Sequence, residues 1–169
     1  MLNFKKWNIK SILKEVTLTV ILVAVFANII SYLKRPDLPV ENLPAINVRL
    51  IDAEQFSTHA LKDEPLLIHF WATWCPTCRT EAGNIVRISK SFQVLSVAVQ
   101  SGTDAKLRKY MSEHDLHFRV LNDTSGLADD FNVQAYPTTF IFDSKGELAF
   151  TEVGYTSTIG LYLRMWWAG

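Results

Sequence analysis

The chain of 169 residues holds only two cysteines, and only Pro76 and Thr77 separate them, in the order Cys75-Pro76-Thr77-Cys78. A spacing of three brings two sulfurs within one turn if a helix begins there, which suits a dithiol that closes to a disulfide and reopens. The apolar run Leu66-Leu67-Ile68-His69-Phe70-Trp71 comes just before, with the length of a strand, and from Pro76 to about Lys90 the spacing of Ala82, Ile85, Val86 and Ser89 predicts a helix. Strand followed by helix puts Cys75 at the helix N-terminus, where unpaired backbone N–H groups and the macrodipole favour negative charge. A free thiol titrates near ~8.5, whereas in C-x-x-C motifs at helix N-termini it falls to roughly 3.5–7.5, giving a nucleophile at neutral pH. Pro76 suits the first turn because the N–H it lacks would have no partner there. Cys78, one turn further in, is placed to attack a mixed disulfide on Cys75 and release what is bound.

Two other uses of the pair stand beside this one. An inert structural disulfide closing so short a loop gives little entropic stabilisation. A zinc site would need more ligands, and His114 with His117 would supply them; His114, however, falls on the apolar face of a predicted helix and reads as a core histidine. His59 has no matching spacing, and His69 lies inside a strand and reads as a packed residue.

The elements that hold the pair alternate strand and helix. A strand over 94–99 follows the first helix. Leu107, Tyr110, Met111 and His114 then mark one face of a second helix over 104–114, and a short helical turn falls at 127–131. Thr139-Phe140-Ile141-Phe142, the turn Asp143-Ser144-Lys145-Gly146 and the stretch 147–153 read as a hairpin. The last helix carries Ile159, Tyr162, Leu163, Trp166 and Trp167 on one side. This order predicts an α/β domain with a mixed central sheet flanked by helices.

Ahead of the domain, Val16 to Leu33 runs for eighteen residues without a charge, which as a helix spans roughly 27 Å and just crosses a bilayer core. Lys5, Lys6, Lys10 and Lys14 precede it, so the positive-inside bias leaves the N-terminus in the cytoplasm, with Trp7 and Tyr32 at the interfaces. A cleaved signal peptide ending at Val25-Phe26-Ala27 is the rival to an anchor, and both export the domain. The expected organisation is a basic cytoplasmic terminus at 1–15, a transmembrane anchor at 16–33, a proline-rich linker at 34–47 and the domain at 48–169. Net charge is +0, which points away from nucleic acid. About 120 residues bury a core without help from disulfides.

The stretch FWATWCPTCRTE, with Ala135-Tyr136-Pro137-Thr138-Thr139-Phe140 about sixty residues later, resembles the thioredoxin-fold TlpA/ResA/CcmG group of membrane-anchored disulfide oxidoreductases, and within it the ScsD-type branch. The likeness covers roughly residues 45–167. It implies a thioredoxin-like fold preceded by one N-terminal transmembrane helix, with Cys75 as the attacking cysteine, Cys78 as the resolving one and Pro137 as a cis-proline beside them. Trp74, Pro76, Thr77, Glu81 and Tyr136 complete the set that tunes the site. No cofactor is implied beyond a redox-active Cys75–Cys78 disulfide. The implied partners are extracytoplasmic proteins bearing disulfides or thiols, a membrane dithiol electron carrier, and the bilayer through residues 16–33. The implied location is the inner membrane, single-pass, with the catalytic domain in the periplasm.

Two departures narrow the resemblance. The cytochrome c maturation branch usually reads Gly-x-Pro-Glu-Thr around its cis-proline, where this chain has Ala135-Tyr136-Pro137-Thr138-Thr139, which weakens a dedicated apocytochrome role. Gly83 stands five after Cys78, where related helices commonly carry a kinking proline, so that kink is softened or missing. The direction of transfer turns on small terms. A carboxylate near the sulfurs raises thiol pKa and favours a reductant, the helix dipole opposes it, and 30 mV is about 1.4 kcal/mol. The family pattern tips the reading toward a reductase. A membrane-anchored copper or zinc chaperone with Cys75 and Cys78 as soft ligands is the rival class.

Overall fold

The computed structural model describes residues 9–33, 42–61 and 63–169, and the chain divides into one unit at 1–34 and a second at 35–169. The first unit contributes a single helix, α1 (Ile9–Leu33), of 25 residues. Val16, Leu18, Val20, Ile21, Leu22, Val23, Val25, Phe26 and Ile29 are all exposed on it. Among the described residues no helix is both long and apolar enough to cross a membrane; in α1 the side chains at 9–11, 24, 27, 28 and 30–33 lie outside the described set.

The second unit opens with a small antiparallel pair, β1 (Asn47–Arg49) and β2 (Gln55–Ser57). The main sheet then forms from β3 (Leu66–Trp71), β4 (Gln93–Ala98), β5 (Val120–Asn122), β6 (Thr138–Phe142) and β7 (Leu148–Val153), in the spatial order β5-β4-β3-β6-β7. β3, β4 and β5 run parallel, while β6 is antiparallel to both β3 and β7. Three longer helices, α2 (Pro76–Ile88), α3 (Asp104–Glu113) and α5 (Thr158–Ala168), and the single turn α4 (Leu127–Asp130) cover it. This is the mixed sheet flanked by helices that the sequence predicts.

Every residue of β3 is buried, and its pleat divides them between the two faces of the sheet. Leu66, Ile68 and Phe70 pack with Phe131, Phe140 and Phe142, whereas Leu67 packs with Ile85, Ile88, Ile141, Leu161 and Met165 beneath α2 and α5. Phe70, Phe140 and Phe131 meet with ring centroids 5.2 to 5.8 Å apart. Each such side chain contributes about 1.5–3 kcal/mol through burial, so β3 is held from both faces.

Two expectations change, and the side of α5 that faces the core is settled. Residues 42–46 were expected in the linker; in the structure Asn42 bridges to Glu147, the Leu43 N–H donates to Gly146 O at 2.7 Å, and Ile46 is buried, because apolar side chains here reach the core. His114 is no core residue: it sits exposed as the C-cap of α3, its ring tilted against Tyr110 at 4.3 Å, because the helix ends at Glu113 and the His114 backbone leaves the helical path. In α5 the apolar side Ile159, Tyr162, Leu163, Trp166 and Trp167 faces out, and Leu161, Met165 and Ala168 form the buried stripe instead.

Candidate active site

β3 delivers the chain to Ala72, and the turn that follows hands it to α2. The Cys75 N–H donates to Ala72 O at 3.2 Å and Cys75 takes an extended conformation (φ −80°, ψ 117°), making it the N-cap of α2. Its Sγ accepts the Cys78 N–H at 3.3 Å, the place an N-cap oxygen would fill. Pro76 occupies the first turn, and Pro76 and Thr77 are exposed. The helix continues through Gly83 without a break; a β-carbon there would meet nothing nearer than the Arg87 guanidinium at 3.6 Å. Arg79 secures the turn, its Nε donating to Thr73 O at 3.1 Å, while the Thr73 N–H donates to Ser101 Oγ at 3.0 Å.

Both cysteines are free thiols, and both are buried. Across from them the Tyr136-Pro137 peptide is cis, and the Cys75 thiol donates to Tyr136 O at 3.6 Å. Trp74 is 52% exposed and meets the Tyr136 ring edge to face at 5.8 Å. An accessible aromatic platform therefore flanks the pair. The structure brings together Trp74, Cys75, Pro76, Thr77, Cys78, Tyr136 and Pro137, which lie sixty residues apart in sequence.

Glu81 stands one turn below Cys78 with no exposed surface. Its Oε1 accepts the Thr156 N–H at 2.8 Å, and its Oε2 has no partner among the described residues. Burial pushes the carboxyl up to about 8; the Thr156 bond opposes that rise and the charge of Glu152 adds to it. Burial likewise drives the Cys78 thiol upward, reinforced by its hydrogen bond with Cys75 and, more weakly, by the charges of Cys75 and Glu81; a backbone bond at Ala72 acts against it. The interior below the motif thus resists negative charge at both groups. Burial also raises Tyr110 and Tyr136, the phenols nearest the pair.

Sequence reasoning missed the loop that joins β7 to α5. There the Gly154 N–H donates to Pro137 O at 2.8 Å, and Thr156 supplies both the N–H on Glu81 and the carbonyl that accepts from Asn84 Nδ2 at 2.9 Å. Asn84 Oδ1 in turn accepts from Thr158 Oγ1 at 2.8 Å. Backbone atoms carry most of these links, so no residue type advertises them. The only usable signal is Asn84 itself, a polar residue on the helix face that also carries Glu81.

His69 is buried in β3, with its Nδ1 2.9 Å from Thr139 Oγ1 on β6, and burial pushes it down to about 3. It reads as packed, as the sequence suggests. His117 is exposed and pairs with Asp115 at 2.8 Å.

A dithiol capping a helix that leaves a parallel strand, with a cis-proline loop opposite, defines a thioredoxin-like protein disulfide oxidoreductase. Comparison with known proteins gives the same class. Residues 39–151 match the AhpC/TSA family, and the chain belongs to it. It is 33% identical over 163 residues to a thioredoxin-like protein of Haemophilus influenzae, covering 95% of this chain and 96% of that one. It is 28% identical over 118 residues to the thiol:disulfide interchange protein DsbE of Pseudomonas aeruginosa, covering 69% and 64% of the two chains. A thiol:disulfide interchange protein of Chlorobium tepidum superposes with a TM-score of 0.70 at 25% identity, over 78% of this chain and 98% of that one.

Proposed function

We propose that the chain is an extracytoplasmic reductase of selected protein disulfides, tethered by α1 and working through Cys75 and Cys78. The observation that carries this reading is the Cys75 sulfur at the α2 N-terminus, bonded by the Cys78 N–H at 3.3 Å and facing Tyr136 O across the cis-proline loop. The Cys75 thiolate attacks one sulfur of a substrate disulfide. A Cys75–substrate bond forms as the substrate bond breaks, and the departing thiolate takes a proton from water. Cys78 then gives its proton to water and attacks the Cys75 sulfur. The Cys75–Cys78 bond forms, the mixed disulfide breaks, and the second substrate thiolate leaves. Two electrons have moved from the pair to the substrate, and a membrane dithiol carrier returns two electrons and two protons.

Direction rests on the buried Glu81 and Cys78. A strong oxidant on this fold owes its potential to a stabilised reduced form. Burial keeps Cys78 a neutral thiol, so no thiolate at this position stabilises the reduced form. Trp74 and Tyr136 offer apolar surface beside the sulfur, and an extended substrate strand would lie against the Tyr136-Pro137 loop.

The bilayer reading rests on sequence. Eighteen uncharged residues at 16–33 sit inside a 25-residue helix, whose length at 1.5 Å per residue is about 37 Å, against about 30 Å of bilayer core. The lysines before it orient the domain outward, into the periplasm.

The test is trapping. With the resolving step removed, Cys78→Ser accumulates mixed disulfides with substrates in an oxidising compartment, seen as bands on non-reducing gels that dithiothreitol abolishes, whereas Cys75→Ser accumulates few. Equal trapping by both variants refutes the order of attack, and bound metal at stoichiometry with no trapping favours the chaperone.

A further inference from the structure

Helix α5 turns a stripe of large apolar side chains to solvent: Ile159 at 73% exposed, Leu163 at 61%, Trp166 at 73% and Trp167 at 77%. They recur at helical spacing on the side opposite the buried Leu161, Met165 and Ala168. Nothing in the disulfide chemistry uses Trp166 and Trp167, which lie at the end of α5 away from the Thr158–Asn84 bond. A soluble surface rarely carries two adjacent exposed tryptophans without an occupant.

The position of the stripe identifies that occupant. The turn Asp143–Glu147 joins β6 to β7, and its Ser144 N–H donates to Ala168 O, the last residue of α5, at 3.1 Å. The same turn holds the incoming chain, through Leu43 N–H to Gly146 O at 2.7 Å and the bridge between Asn42 and Glu147. Trp166 and Trp167 lie within about 3 Å of Ala168 along the helix axis. The entry of the tether and the tryptophan end of α5 therefore share one corner of the domain. From Leu33 to Asn42 the chain has nine residue steps, which reach at most about 32 Å whatever path they take. Beyond that reach the domain cannot leave the bilayer.

The Cys75 turn follows the opposite end of β3 from this corner. β3 pairs Leu66 with Phe142 beside this corner and runs six residues to Trp71 and the Cys75 turn. Tryptophan side chains favour the headgroup level of a bilayer, and an amphipathic helix lies in that plane by its apolar face.

We infer that the Leu163, Trp166 and Trp167 part of the exposed α5 face, at the end where the tether enters the domain, lies on the lipid surface. This rests on the proposed anchoring by α1. The occupant is lipid: the stripe is apolar and aromatic, and the one cation on α5 beside it, Arg164, is engaged with Glu152 at 2.8 Å.

The experiment uses the full chain reconstituted in phosphatidylcholine vesicles, with Trp7→Phe to silence the anchor's own fluorescence. Vesicles with brominated acyl chains should quench the emission of Trp166 and Trp167. Trp166→Phe with Trp167→Phe, leaving Trp71 and Trp74, should abolish the lipid-dependent quenching. Leu163→Glu keeps both fluorophores and should also remove most of it, while insulin reduction by the same protein in detergent stays unchanged. Quenching equal in all variants overturns the docking. Protection of α5 amides from exchange that rises with protein density, without quenching, assigns the face to a second copy and also overturns it. Flotation after a carbonate wash reads the anchor separately: a chain that floats but shows no quenching defeats the docking alone, and a chain stripped from the vesicles defeats the anchor and the docking with it.

Discussion

Replacing Glu81 by Gln isolates the least ordinary group in the site. The carboxyl is fully buried and burial holds it up at about 8, above its ordinary value of 4.5. The folded state therefore binds a proton that the unfolded chain releases as pH rises past 4.5. Stability is complete below 4.5 and falls with rising pH until about 8, where the folded carboxyl also ionises. The slope is about 1.4 kcal/mol per pH unit, so at pH 7 the wild-type chain is about 3 kcal/mol less stable on this account than at pH 4.5. Gln keeps an oxygen for the Thr156 N–H and has no proton to lose. The Gln variant should therefore gain on wild type by about 3 kcal/mol between pH 4.5 and pH 7. His69 titrates with the opposite sign over the acid range and cancels in the difference between variants. The assay is denaturant unfolding of the two full-length proteins in detergent at both pH values, followed by near-UV circular dichroism. A stability difference that stays flat with pH would show that Glu81 titrates as an ordinary carboxylate, and the buried-acid argument would fail. The effect on the thiols should be smaller, since burial, not the Glu81 charge, leads the upward shift of Cys78.

Other outcomes follow from the same geometry. His69, pushed down to about 3, should keep the imidazole nitrogen resonances of the neutral ring from pH 8 to pH 4, and the chain should lose stability as pH falls from 6.5 toward 3; a midpoint near 6.5 would contradict its burial. Leu161→Ala, in the fully buried stripe of α5, should cost about 2–5 kcal/mol, whereas Leu163→Ala on the exposed face should stay within about 0.5 kcal/mol in detergent. Equal losses in thermal unfolding would reverse the assigned faces.

The sequence determined the chemistry because that chemistry is local. Cys75, Pro76 and Cys78 between an apolar run and a helical pattern imply an N-terminal dithiol with no knowledge of the rest of the chain, and β3 falls at residues 66–71 as the run predicts. β6 and β7 were legible for the same reason, with a Gly-containing turn between two apolar stretches. The strands β1, β2 and β5 were not read, since three residues are too few to show a period of two.

The rest came from how the elements pack. Glu81 has the spacing of either a surface or a buried carboxylate on α2; packing of α2 against α5 and the Thr156 N–H from a loop seventy-five positions away make it a buried acid. The periodicity of α5 marks an apolar side but not where that side faces. Leu161 and Met165 fit the core beside Ile85 and Ile88, and that fit turns Trp166 and Trp167 outward. Hydrophobic spacing records that a face is apolar, and burial depends on which volume the neighbouring elements leave to be filled.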